Sequence, residues 1–180
     1  MTKSLNLVLV LTVIAAMSGF ALGGLNEVTF ETIQNNILKY KKVPAVADIQ
    51  EAVHGKTSPE ARLALEEALL MEKRFIERPE DDPLLFFVLQ KGDVPYAAVL
   101  EGFGGGFGGD LGVMVGFLLQ QGGLAGIGIT TLSETPGVGT HVRDAVFRAQ
   151  FEGMPADTVF EVKKDGGDID AVTGATVSSR

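Results

Sequence analysis

The last thirteen residues read "DIDAVTGATVSSR" (168–180), with Thr173 and Thr176 bracketing Gly174 and Ala175 just after Asp168 and Asp170. A threonine hydroxyl can donate and accept hydrogen bonds, and it can form an ester with an activated group. A stretch this rich in small polar residues reads either as a frayed end or as a place where something is attached.

Two further groups carry chemical potential. Glu134-Thr135-Pro136-Gly137-Val138-Gly139 has Pro-Gly at its centre, which favours a type II turn, proline fixing φ and glycine taking the positive φ. Such a turn is either a rigid connection or a device that fixes the Glu134 and Thr135 side chains and sets amides near a helix N-terminus for a polar or anionic ligand. His141 comes on the next turn and is assigned no role. The stretch "EGFGGGFGGDLG" (101–112) contains a formal G-x-G-x-x-G at Gly104, Gly106 and Gly109. A dinucleotide site would need a helix next and an acidic residue about twenty positions on. The next residues, "LGVMVGF", read as a strand, and residues 126–132 hold no acid, so that reading is rejected. Glycines at this density, Gly108 and Gly109 among them, make either a wide bulged turn or a close approach of backbone to a flat ligand.

Composition narrows the chemistry. The 180 residues contain no cysteine and two histidines, His54 and His141. Thiolate metal sites, iron–sulfur ligation, thiol catalysis and disulfides are therefore excluded, and redox chemistry would have to come from an organic cofactor. A net charge of −8 argues against nucleic acid, whose phosphates require a basic face.

The elements that must position these groups begin with "LNLVLVLTVIAAMSGFALGGL" (5–25), which carries no charge. A helix of that length reaches roughly 30 Å, enough to cross the hydrocarbon core. The alternative is a cleaved secretory signal with Lys3 as its charged start and Ala21-Leu22-Gly23 as its small-x-small site. With Lys3 on one side and Glu27 and Glu31 past the other end, the positive-inside rule places the remaining chain outside the cytoplasm. Residues 26–42 read as a helix ended by Pro44, with an apolar stripe at Val28, Ile33, Ile37 and Leu38. Thr57-Ser58-Pro59-Glu60 reads as a capping box opening a second helix that runs to Arg78, with Leu65, Leu69 and Phe75 facing a core. Runs at 84–90 and 95–102 flank the turn Lys91-Gly92-Asp93, and runs on either side of Gln121-Gly122-Gly123 suggest a second hairpin. A helix is expected over 140–151 with Val142, Val146 and Phe147 on one face, and a closing hairpin around Asp165-Gly166-Gly167. The fold class is α+β: an N-terminal transmembrane helix, then a domain with a largely antiparallel sheet and packing helices. The divisions are 1–25 (anchor with a short cytoplasmic start), 26–82 (helical connection) and 83–180 (the domain holding the motifs).

Asp170-Ala171-Val172-Thr173-Gly174-Ala175-Thr176 resembles the D-x-x-[S/T]-G-A-T pattern of the covalent FMN-binding domains of Rnf and Na⁺-translocating NADH:quinone reductase complexes. "GFGGDLGVMVGF" (106–117) and "SETPGVG" (133–139) are similar to two further elements of that family, in the family's order, as is the single N-terminal span. The G subunit of Rnf complexes offers the best match, over essentially the whole chain. The resemblance implies that Thr176 carries FMN as a phosphoester and that Gly174 and Ala175 leave room for the phosphate, with their amides as donors. It also implies that Asp170 and Thr173 frame the motif and that Glu134, Thr135, Gly137, Gly139, Gly108 and Gly109 lie around the cofactor. No catalytic nucleophile and no metal ligand follow from it. It further implies a separate flavin transferase using FAD and Mg²⁺, neighbouring subunits, membrane lipid around 5–25, and electron transfer between ferredoxin and NAD⁺ coupled to Na⁺ or H⁺ movement on the outer face of the cytoplasmic membrane. Family members usually continue past the final Ser-Arg into a further helix, which this chain, ending at Arg180, does not.

Overall fold

The apolar run at the N-terminus has no glycine- or proline-rich break strong enough to stop a helix, and it belongs to one long helix. The computed structural model describes residues 2–71, 73–76, 84–134 and 139–180. Helix α1 spans Thr2–Ile37, and its segment from Asn6 onward is long and apolar enough to cross a membrane. Leu7, Leu11, Ile14 and Phe20 are all exposed along it, as expected of a surface made for lipid. The chain forms two compact units, 1–37 and 38–180.

The second unit opens with a π-helical turn, Leu38–Lys42, which passes directly into α2, Val43–His54. Pro44 therefore does not end a helix. It sits in the first turn of α2, where its missing N–H has no intrahelical partner to lose. Helix α3, Pro59–Met71, is shorter than its composition suggests, and its N-terminal cap is Ser58, whose Oγ accepts from the Ala61 N–H at 3.2 Å. Thr57 instead donates to Glu51 at 2.8 Å. Residues Arg74–Ile76 form strand β1 rather than a last helical turn, and Phe75, expected in the core, is 56% exposed. β-Branched and aromatic residues here follow the sheet edge instead of the helix propensity upstream.

Four more strands come after it: β2 (Leu84–Lys91), β3 (Val94–Gly105), β4 (Asp110–Leu118) and β5 (Leu124–Leu132). They form a five-stranded antiparallel meander in sequence order. The hairpins expected around Lys91-Gly92-Asp93 and Gln121-Gly122-Gly123 are present. Alternation along the strands sends Phe87, Leu89, Val99 and Met114 to one face, where they pack with Val43, Val46, Ile49 and Leu69 of the helices. Each such fully buried side chain contributes roughly 1.5–3 kcal/mol. Small residues let α2 come close: a Cβ on Gly128 would run into the Ala45 carbonyl, and one on Gly116 would come within 2.7 Å of Ile49. The opposite face carries a second cluster, Ile127, Val142, Phe147, Val162 and Ile169.

Two expectations in the C-terminal third need correction. Residues 140–151 are not one helix but a 3₁₀ turn (Gly139–Arg143), a single α turn α4 (Ala145–Arg148) and another 3₁₀ turn (Ala149–Phe151). Asp144 is extended at the junction and breaks the helical period, so Val142 and Phe147 are buried while Val146 is 84% exposed. Residues 158–172 are not a hairpin either. Only an isolated parallel bridge, Val162 to Ile169, joins them around the 3₁₀ turn Lys163–Asp165.

Candidate functional site

The C-terminal stretch is not frayed. Ser179 donates its backbone N–H (3.0 Å) and its hydroxyl (2.8 Å) to the Ala175 carbonyl, and its Oγ accepts from the Val172 N–H at 3.0 Å. Asp170 is held by its backbone, its N–H donating to Gln150 Oε1 at 2.6 Å while its carbonyl accepts from Gln150 Nε2 at 3.2 Å. The Asp170 carboxylate reaches Lys163 at 2.7 Å. Arg180 forms two hydrogen bonds to Asp165, at 2.6 and 2.8 Å. That guanidinium holds the Asp165 carboxyl below the usual range, and the carboxylate raises the arginine in return. The chain thus folds back at Gly174, whose φ of +81° suits glycine, and presents the residues after it to the rest of the domain.

These residues face a cleft of about 360 Å³ lined by Phe107, Glu134, Gly139, Gly174, Ala175, Thr176, Val177 and Ser178. Three distant segments meet there: the β3–β4 turn, the end of β5 with its continuation, and the C-terminal turn. Glu134 knits the first two together. Its Oε1 accepts the Phe107 N–H at 2.8 Å and the Gly108 N–H at 3.4 Å, while Gly106 N–H donates to Gly109 carbonyl at 2.8 Å to close the turn. Glycine is required where these segments touch, since a Cβ on Gly139 would lie 2.6 Å from the Glu134 Cβ. The neighbouring Ser178 hydroxyl, reinforced by the Gly108 and Phe107 amides against some desolvation, keeps the Glu134 carboxyl below its ordinary range. Ser178 is 4% exposed, and its Oγ has no partner at full hydrogen-bond geometry, so its interaction with Glu134 is electrostatic rather than a formed bond.

Thr176 is half-buried in this cleft, and its hydroxyl makes no hydrogen bond to a described residue. The backbone N–H groups of Thr176, Val177 and Ser178 likewise have no backbone acceptor among the described residues, in contrast to Ala175, Ser179 and Arg180. No lysine or arginine lines the cleft among the described residues. The arrangement therefore offers an anionic group on Thr176 a set of neutral donors, and no cation. Small residues on both sides leave room for a phosphate, so the site fits a phosphoester-linked group.

Of the residues singled out in the sequence, Thr176, Gly174, Ala175, Glu134 and Gly139 come together around the cleft. Gly108 and Gly109 form the turn that Glu134 holds. Asp170 and Thr173 are exposed and do not line it. Thr135 and Gly137 lie outside the described residues. Phe107, Val177 and Ser178 line the cleft without having been singled out. A lone aromatic inside a glycine run was the available signal for Phe107, whereas Ser178 had none beyond its place in the tail.

Residues 106–180 match the FMN-binding domain family. The chain is 38% identical over 101 residues to the G subunit of the ion-translocating oxidoreductase complex of Cronobacter sakazakii, covering 52% of this chain and 48% of that protein. It is 33% identical over 97 residues to the G subunit of the proton-translocating ferredoxin:NAD(+) oxidoreductase complex of Clostridium ljungdahlii, covering 53% and 52%. The chain spans about half the length of the curated relatives it matches. In fold it is similar to the C subunit of the Na(+)-translocating NADH-quinone reductase from Parabacteroides distasonis, with a TM-score of 0.59, 19% identity, and coverage of 82% of this chain and 86% of that one.

Proposed function

We propose that this chain is a membrane-anchored electron-transfer subunit of the Rnf G type, carrying FMN as a phosphoester on Thr176, a reading supported by the match of residues 106–180 to the FMN-binding domain family. The observation that carries this reading is the unbonded Thr176 hydroxyl, set among free amides in a cleft that three segments of the family match converge to build. In maturation a separate flavin transferase, using FAD and Mg²⁺, would join the Thr176 oxygen to the FMN phosphorus with cleavage of the pyrophosphate P–O bond, AMP leaving and the hydroxyl proton passing to solvent. FMN then supplies one- and two-electron transfer that the chain's own side chains cannot.

The protein's part is to hold and shield. The amides of Thr176, Val177 and Ser178, which have no backbone acceptor among the described residues, would donate to the phosphate, and Glu134 holds the glycine turn through the Phe107 N–H. Helix α1 anchors the protein through residues 5–25 in lipid, with Lys3 on the cytoplasmic side and the domain outside. Its neighbours are the other subunits of a complex that moves electrons between ferredoxin and NAD⁺ and translocates Na⁺ or H⁺. In this division of the chain, 26–82 connects the anchor to the FMN-binding domain at 83–180.

Co-expression with a competent transferase tests the reading. After denaturation, yellow fluorescence should migrate with the polypeptide, and the added mass should map to Thr176 in the tryptic peptide ending at Arg180. Thr176→Val should be colourless while Thr173→Val remains yellow. An unaltered chain that stays colourless beside an active transferase would overturn the proposal.

A further inference from the structure

We propose that Phe107 is the platform on which the flat ring system of the flavin lies, which gives the glycine-rich turn a second task beyond shaping the attachment site. This rests on the attachment of FMN at Thr176 proposed above. Phe107 lines the same cleft as Thr176, yet its side chain is 77% exposed. The exposure does not come from a loose loop, because the Phe107 N–H is bound to Glu134 at 2.8 Å and the turn is closed by the Gly106–Gly109 hydrogen bond. A large apolar ring is thus held in water by a fixed backbone.

Its neighbours in sequence carry no side chains. Gly104, Gly105, Gly106, Gly108 and Gly109 flank it in sequence, and a Cβ on Gly106 or Gly108 would collide with the Glu134 carboxylate or the Ser133 carbonyl. Phe147, Phe151 and Phe160 contact one another, but Phe107 has no aromatic partner among the described residues. An isoalloxazine, flat and π-rich, is the ligand such an unoccupied face suits. Stacking on aromatic side chains is how proteins commonly hold planar heterocycles without reading their edges. The competing seat is an adjoining apolar groove of about 500 Å³ on the sheet face of the second cluster, which shares Ser178 with the cleft and is lined by Phe103, Leu111, Val113 and Ile129 among others.

The sequence makes the test clean. There is no tryptophan, and neither of the two tyrosines, Tyr40 and Tyr96, lines the cleft. Indole in contact with a flavin quenches its emission by donating an electron to the excited ring. Full-length flavinylated Phe107→Trp and Phe103→Trp are to be compared at equal covalent loading, established by peptide mass. Phe107→Trp should lose most of its flavin emission and Phe103→Trp should match the unaltered protein. Phe107→Ala should stay bright and become more accessible to iodide. Should tryptophan obstruct loading, Phe107→Tyr gives the same readout with weaker quenching. Undiminished emission in loaded Phe107→Trp (or, where that variant does not load, in Phe107→Tyr), or quenching in Phe103→Trp alone, would overturn the platform and seat the ring elsewhere. An unaltered chain that takes no flavin removes the platform together with the attachment reading, an outcome distinct from a loaded chain whose emission ignores residue 107.

Discussion

Glu134 looks at first like a ligand-binding acid, but its partners are backbone amides of its own chain. Those two bonds brace the turn bearing Phe107. The Ser178 hydroxyl and those amides lower the folded pKa of Glu134, so its contribution to stability is complete above the unfolded value of about 4.3 and is lost as pH falls through the lower folded value. The Phe107 and Gly108 amide resonances should accordingly hold their positions from neutrality to about pH 5 and move only in stronger acid. Gly139→Ala should cost on the order of 1–3 kcal/mol in urea unfolding, because the new methyl meets the Glu134 side chain. The family resemblance singled out Thr176 and Glu134, which the fold brings to one cleft. Ser178 and Phe107 were not legible in the sequence, since their roles depend on a fold-back at Gly174 and on a pinned turn, neither of which has a periodic signature.

At the level of elements, the π-helical turn before α2 has a particular occupant. Lys42 at its end reaches Glu101 in the middle of β3 at 2.7 Å, and Thr130 of β5 donates to the same carboxylate at 2.6 Å. The Glu101 side chain is only 6% exposed. Removing one partner strands the other, so Lys42→Ala should destabilise the domain by on the order of 3 kcal/mol by chemical denaturation, and Glu101→Gln with Lys42→Met together should recover much of it. Tyr96, half-buried beside His54, has its phenol pushed up to about 12 by burial. The fold keeps the neutral form, so this group weakens the domain only as pH rises from about 10 towards 12, which alkaline unfolding monitored by tyrosinate absorbance would register. The strands and their turns could be read from alternation and glycine placement. Helix ends could not: Pro44 suits an ending and a beginning equally well, and Phe75 follows a helical period that the sheet edge overrides.

For the whole molecule, the sequence divides its apolar residues between two solvents. Those of α1 face outward along its length, whereas those of 38–180 are gathered on the two faces of one sheet. Deleting residues 2–37 should therefore move the protein from the membrane to the soluble fraction with the thermal transition of the domain preserved, as sedimentation and calorimetry would show. The architecture was legible because period-two runs joined by short turns allow few arrangements. The packing of the residues after β5 was not, because they are fixed by individual hydrogen bonds and two isolated bridges rather than by a repeating pattern.

The meander also bears on the order of assembly. Each strand pairs only with its neighbour in sequence, so the sheet closes through short loops. The cleft instead joins Phe107 to Glu134 across 27 positions and then waits for the last residues of the chain. Loop-closure entropy grows with that separation. A nascent chain has all five strands before Thr176 has been synthesised, so the turn at Gly174 docks onto a finished sheet. Pulse-labelling by hydrogen exchange should find the Val99 and Met114 amides protected before those of Ser179 and Arg180, and simultaneous protection would refute it.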